Sequence, residues 1–279
     1  MKNYNTIVIA GGGMKGFSML GCLEFLYQEN IVRNIKKYIG TSIGSVLCLL
    51  MILGYRPMEI ILYLIHSDDF KNFKRYDIVN GISGNGFIDY TYFRRIVSNL
   101  ILEKLGFIPT FKELYEKYPY ELKMITFNYS LQQEECLSMS TTPDLNILDA
   151  LRMSSNVPFL FGHFKSGDYF YFDGFITNIF PIDKIDTQTD IVLGISTLQD
   201  RWKSEPDPSK LTNLKIMWNL FLLPFFKVQQ ISSKNYLQYC NVINLYSDLG
   251  GFFDINITTS KILDLFSIGY IKAKESSFF

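Results

Sequence analysis

Apolar residues along this chain fall into two rhythms that alternate through its first two thirds. Residues 6–10 (Thr6-Ile7-Val8-Ile9-Ala10) and 191–195 are short apolar runs of the kind found in strands buried on both faces, and residues 35–39 read as a further strand. Between them the pattern turns helical. A helix from the apolar stretch 46–51 ends at Gly54, and Pro57 is suited to the first position of another that reaches about Ser67. The cluster Gly81, Gly84 and Gly86 marks a loop. Residues 89–105 show helical spacing stopped by Gly106, and Thr110 with Glu113 forms a capping box for a short helix before Pro119.

Residues 122–129 and 134–140 read as paired strands around a polar turn, and Pro143-Asp144 opens a helix through about Ser155. A tight hairpin at 164–169 returns through an aromatic strand, 169–172, into Asp173-Gly174. Charges and two prolines between 199 and 210 predict an exposed linker. Beyond it come a helical, aromatic segment over 211–239, a strand at 242–246 and a last helix after Thr259-Ser260. No internal repeat appears. Strands alternating with helices predict an α/β sandwich with a largely parallel sheet, in which 198–279 is an extension packed on the same domain.

Composition narrows the partners. Lys plus Arg and Asp plus Glu are 27 each, so no basic field exists to bind nucleic acid. The hydrophobic fraction is 48%, yet no uninterrupted apolar run approaches the roughly 18 residues a membrane span needs. The N-terminal residues pass directly into a strand pattern with no apolar signal core. The expectation is a cytoplasmic chain, peripheral to membranes where it meets them, without signal peptide or transmembrane segment. Cys22, Cys48, Cys136 and Cys240 are widely spaced, with no Cys-x-x-Cys pair, and read as free thiols. No metal site and no cofactor are expected.

Two glycine-framed turns carry the chemistry. Gly11-Gly12-Gly13-Met14-Lys15-Gly16 follows the first strand, and Gly40-Thr41-Ser42-Ile43-Gly44 follows the second and opens a helix. Gly-x-Ser-x-Gly places a serine on a sharp strand-to-helix turn, where the small flanking residues let the two backbones close up and expose the hydroxyl. Ser42 reads either as a nucleophile or as a plain helix cap. The glycine loop also has two readings. Gly11-x-Gly13-x-x-Gly16 fits a dinucleotide fingerprint, but the end of the second strand lacks the carboxylate that would hold a ribose. As an oxyanion loop, its unshielded amides would lie beside Ser42 if the two strands are parallel neighbours. Lys15 either adds positive charge there or sits as a solvated residue at a helix start.

A nucleophilic serine needs a proton acceptor. His66 lies near a helix end and reads as solvated or capping, and His163 has no convincing acid before it. Asp173 follows an aromatic strand whose apolar setting would raise its basicity, although an aspartate before glycine is also an ordinary turn residue.

Taken in order, the glycine loop 11–16, the serine turn 40–44 and Asp173-Gly174 resemble the patatin-like phospholipases. Ser154-Ser155-Asn156-Val157-Pro158-Phe159-Leu160-Phe161 is similar to the segment that precedes that family's aspartate, and Asn178 and Pro181 fall where its Asp-Gly motif is followed by Asn and Pro. The resemblance covers about residues 5–197 and implies a three-layer α/β/α sandwich that cleaves fatty-acyl esters of phospholipids or related lipids. It implies Ser42 as nucleophile, Asp173 as base and the backbone of Gly11, Gly12, Gly13 and Met14 as oxyanion hole, with Lys15, Gly16, Gly40, Gly44 and Gly174 supporting the motifs. Directly after Asp-Gly the family usually carries Gly or Ala; Phe175 stands here, which points to a narrower pocket or a shifted Asp173 turn.

Residues 216–226 form the most apolar run, with Trp218 and Phe221 inside it and Lys215 and Lys227 on its flanks. It reads as a core or lid helix, or as an element lying on a membrane or micelle surface. The leading expectation is a lipid acyl hydrolase. The alternatives are a catalytically weak lipid-binding protein on the same scaffold and a dinucleotide-binding oxidoreductase.

Overall fold

A computed structural model of the chain describes residues 2–197, 213–245 and 257–278. Its short apolar runs become neighbours in one mixed sheet. β1 (Thr6–Ile9) lies between β2 (Lys37–Thr41) and β7 (Val192–Ser196), parallel to both, and β8 (Cys240–Asn244) adds a parallel strand beside β7. Every residue of β1 and β7 is buried because helices cover both faces of the sheet, which is why neither strand alternates with polar residues.

β3 (Glu121–Asn128) decides where the two strand ends that matter come together. Its residues 121–125 pair parallel with β2, and residues 126–128 pair antiparallel with β6 (Tyr169–Asp173). β4 (Gln133–Ser138) occupies the other edge of β3 over residues 123–128. β2 and β6 therefore share one edge of β3 and run toward each other. Thr41 ends β2 opposite Ile125, and Asp173 ends β6 opposite Thr126. β5 (Phe164–Ser166) closes the outer hairpin through Gly167, whose φ is 56°.

The helices start and stop largely where local chemistry dictates. α2 (Ile43–Ile52) is apolar all round and buried almost throughout, and α3 (Pro57–His66) begins on its proline. In α6 (Tyr90–Leu105) the Asp89 carboxylate caps the Thr91 amide and Gly106 closes the helix at φ 78°. The capping box of α7 (Phe111–Lys117) is formed in both directions by Thr110 and Glu113. α4 (Asp68–Phe73) is capped by Ser67, and one turn of helix, α5 (Ile78–Ile82), interrupts the expected glycine loop.

α8 (Ile147–Ser154) starts later than Pro143 predicts. The Pro143 and Leu145 carbonyls accept from Lys112 and Phe111, so this stretch is bound to α7, and the Asn146 side chain caps the helix at Leu148 instead. α9 (Phe175–Asn178) is one turn after β6, and α10 (Asn213–Ser233) runs straight through Pro224. The predicted linker at 199–210 lies outside the described residues, as do the side chains of Trp218, Phe221 and Lys215. Cys22, Cys48, Cys136 and Cys240 are all free.

α1 (Gly16–Gln28) and α11 (Thr259–Lys274) pack with their backbones in contact. A Cβ on Gly21 would overlap the Phe266 carbonyl, and one on Gly269 would overlap the Ser18 carbonyl. In an exposed helix Gly→Ala stabilises by up to about 1 kcal/mol. Here Gly269→Ala is expected to cost about 1–3 kcal/mol or more, because the helices must separate. Thermal unfolding reads the sign, and a raised Tm would contradict this packing.

Candidate active site

The turn between β2 and α2 is sterically tight. A Cβ on Gly40 would meet the backbone of Gly44 and Ser45, and one on Gly44 would run into the Ile9 and Ala10 carbonyls. Ser42 between them adopts φ 56° and ψ −125°, a conformation that costs a non-glycine residue about 1–3 kcal/mol. Its surroundings hold it there. The Ser42 amide donates to Ser154 Oγ at 3.1 Å, and the Ser154 hydroxyl donates to the Ile125 carbonyl at 2.7 Å, with Ser45 Oγ 2.9 Å away. The last residue of α8 thereby clamps the turn to β3.

Ser42 Oγ caps no helix amide. It donates to Asp173 Oδ2 at 2.5 Å. The other oxygen, Oδ1, accepts from the Phe175 amide at 2.9 Å, and the Asp173 amide donates to the Asn156 carbonyl at 2.9 Å. Asp173 is thus both a turn aspartate and a partner of the serine. It is 1% exposed, and burial raises its pKa to about 7 against the opposing pull of the hydrogen bonds from Ser42 and Phe175. Gly174 is required beside it, since a Cβ there would strike the Ile125 carbonyl.

The glycine loop leaves β1 next to the Ser42 turn. Gly11, expected among the oxyanion donors, gives its amide to the Ile179 carbonyl at 2.7 Å and accepts from Thr197 Oγ1 at 3.1 Å, so it anchors the loop instead. The amides of Gly12, Gly13 and Met14 donate to no group among the described residues. Gly13 has φ 52°, and a Cβ on Gly16 would press on the Ile43 side chain. Lys15 is 1% exposed, which removes its reading as a solvated residue.

The segment after Asp173 ties these parts together. The Asn178 carbonyl accepts from Thr41 Oγ1 at 2.8 Å at the end of β2, while Ile179 next to it holds Gly11. From α10, the Gln229 side chain bonds both the amide and the carbonyl of Phe180, at 3.0 and 2.9 Å. Gln229 has no local signature, and Ser154 stands in sequence only as the first residue of the segment 154–161, with nothing local to mark it as a clamp. With Phe175 in place, Asp173 still reaches Ser42: the Phe175 amide donates to Asp173 Oδ1, and its ring lines the pocket, edge-on to Phe225 at 5.4 Å. His66 and His163 are both on the surface and outside the pocket, with His66 Nδ1 against the Leu62 carbonyl.

Ser42, Asp173 and the loop residues 11–14 open into one pocket whose remaining wall is almost wholly apolar, with Phe73, Phe93, Leu160, Phe161 and Leu222 among its side chains. Leu222 and Phe225 put one side of α10 at this pocket, while Ile216 and Leu220 are exposed.

The family model for patatin-like phospholipases matches residues 7–185. The chain is 32% identical over 213 residues to a probable lipid hydrolase, 463L, of Invertebrate iridescent virus 6, covering 72% of this chain and 73% of that one. It is 26% identical to R571 of Acanthamoeba polyphaga mimivirus over 96% of this chain and 92% of that one. Its fold is similar to that of VipD from Legionella pneumophila, with a TM-score of 0.58 at 15% identity, covering 98% of this chain and 66% of VipD.

The burial of Asp173 has a thermodynamic consequence. Between its ordinary pKa of 3.8 and about 7, the unfolded chain ionises this carboxyl while the folded chain keeps it protonated. The unfolded state then binds fewer protons, so this group's contribution is full below the lower value, is lost as pH rises through the window and stays lost above it. Asp173→Asn is expected to raise Tm at pH 8 relative to the native chain, and the gain should shrink toward pH 4. A gain independent of pH would contradict the raised pKa.

Proposed function

The chain belongs to the patatin-like phospholipase family, a family of lipid hydrolases, and on that premise we propose that it cleaves fatty-acyl esters of phospholipids or related lipids as a serine carboxylic-ester hydrolase. The observation that carries this reading is the Ser42–Asp173 hydrogen bond in an apolar pocket edged by three amides that donate to no group among the described residues. Ser42 Oγ attacks the ester carbonyl carbon as its proton passes to Asp173 Oδ2. The oxyanion that forms points to the amides of Gly12, Gly13 and Met14, where each well-placed donor contributes about 2.7–4 kcal/mol. Collapse breaks the ester bond, and the leaving alcohol takes the proton from Asp173. Water then attacks the acyl-serine and gives a proton to Asp173, and the fatty acid leaves as Ser42 regains its hydrogen. A carboxyl titrating at about 7 suits a group that must accept and return a proton near neutrality.

The acyl chain has a place to go. Met14, Ile43, Phe73 and Phe93 border both the pocket at Ser42 and a second apolar cavity that continues between α1, α2 and α6 toward Leu50 and Leu100. At the surface, α5 buries none of its residues, and Ile78, Val79 and Ile82 are 65%, 78% and 80% exposed. Exposed Phe159, at φ 67°, lies in the adjoining loop, which bonds to the segment after α5 through Phe87 and Ile88 and continues into the pocket wall at Leu160. This patch suits insertion into a lipid surface beside the pocket mouth.

Two measurements test the reading. With a soluble short-chain ester, Ser42→Ala and Asp173→Asn should each lower kcat by about 10²–10⁴ or more, and kcat/KM of the native chain should rise through an apparent pKa near 7. Full activity in either variant would refute the assignment. Replacing Val79 and Ile82 together with Ser should lower the ratio of vesicle-lipid to soluble-ester hydrolysis by about tenfold. An unchanged ratio would place the contact surface elsewhere.

A further inference from the structure

Behind the wall of the apolar pocket lies a cavity of a different character. Phe73, Phe93, Tyr90 and Phe161 form that wall ring against ring, with centroids between 5.1 and 6.2 Å apart. On its far side a polar cavity of about 340 Å³ is bordered by Asn80, Asn85, Thr91, Arg94, Arg152 and Gly162 among others. That volume falls within the roughly 300–1,000 Å³ typical of ligand pockets.

Arg152 is the unusual member. It projects from α8, two residues before the Ser154 clamp, and is 7% exposed. Its guanidinium lies 3.8 Å from the centroid of the Tyr90 ring and within 5.5 Å of Phe161 and Phe164, and Nη2 donates to the Gly162 carbonyl at 2.8 Å. Stacking and the Gly162 bond account for its faces and for one edge. Among the described residues Nη1 has no hydrogen-bond partner, and no carboxylate forms an ion pair with this side chain. Burial lowers its pKa to about 10, which leaves it a cation at neutral pH. A buried cation with a free donor is costly unless something negative meets it.

The other charges around the cavity meet that need only at a distance: Asp89 attracts the guanidinium through space, with no ion pair to it among the described residues. Arg94 reaches Asp149 at 2.9 Å, and one Asp89 oxygen accepts from the Thr91 amide as the cap of α6. Among the cations that border the cavity, this leaves Arg152 without a carboxylate in contact among the described residues. We propose that this cavity binds a phosphate group, with the Arg152 guanidinium supplying the unmatched charge that holds it. Guanidinium is the side chain best matched to phosphate oxygens. Two sources carry such a group, a lipid headgroup and free phosphate. Tyr90 OH and Ser155 Oγ are 3.0 Å apart, and Ser155 also lines the pocket of Ser42, so one hydroxyl pair separates the two spaces.

Binding is separable from catalysis by working on Ser42→Ala protein, which keeps the test independent of the proposed hydrolysis. Inorganic phosphate titrated by calorimetry at constant ionic strength should bind saturably. The affinity should fall about tenfold in Arg152→Gln and also in Asn85→Asp, which sets a negative charge at the border without disturbing the Arg152 stack. Asn85→Asp carries the test alone if the arginine variant fails to fold. Absence of saturable binding, or an affinity unchanged by Asn85→Asp, would overturn the proposal and leave Arg152 as a stacking bolt.

The source follows from the active chain. A headgroup site predicts that Asn85→Asp lowers the ratio of kcat/KM on phosphatidylglycerol to that on diacylglycerol with the same acyl chains, and that glycerol 3-phosphate competes with the phospholipid. A constant ratio with free phosphate still bound assigns the cavity to a free phosphate.

Discussion

β2 and β6 run toward each other along one edge of β3, and the rest of the candidate site depends on that meeting. β3 is long enough to pair with one strand over its first five residues and with another over its last three, so two strand ends arrive opposite adjacent residues, Ile125 and Thr126. Register is what makes the meeting chemical. A slip of one residue in β6 would turn the Asp173 side chain to the other face of the sheet. Buried Thr126 fastens this point, its hydroxyl lying 3.0 Å from both the Met153 and the Phe172 carbonyl oxygens. The strained Ser42 turn is stable for the same reason: its amide is bound to Ser154, which is bound to β3.

A carboxyl sealed in this way has only a hydroxyl and an amide as side-chain partners, with no ion pair among the described residues. Such a group is poorly placed for stability, because burial favours its neutral form over the range in which an exposed aspartate would ionise. That cost fits a group kept for proton transfer. It also explains why this site can dispense with histidine in the proposed mechanism: desolvation moves an aspartate into the range where imidazole normally works.

Around this centre the molecule sorts environments by thin partitions. One layer of four aromatic rings divides an apolar pocket from a polar cavity, and a short exposed helix carries aliphatic side chains near the pocket mouth. An amphiphile presents the same contrast, apolar chains joined to a polar head through a short ester-bearing link. The partition is also mechanically tied to the site, since α8 supplies both Arg152 to the aromatic stack and Ser154 to the serine turn.

Much of this was legible along the chain because steric rules act over a few residues. Glycine at positions 40 and 44 allows a serine turn, glycine at 174 allows an aspartate turn against β3, and caps such as Asp89 and Thr110 start helices where they stand. The strand rhythm likewise carried the parallel core of the sheet. Where the expectation failed, a distant partner had taken a local group. Gly11 has the same free-looking amide in sequence as its neighbours, yet the Ile179 carbonyl claims it, and the Pro143 turn is bound to α7 before a helix can begin. Alone, then, the sequence determined the turns, the caps and the residue types offered for chemistry, since these follow from short-range sterics. Only the tertiary structure decided which loop amide is claimed elsewhere, how closely Asp173 meets Ser42 and how strongly burial perturbs it, because those depend on strand register between residues more than a hundred positions apart.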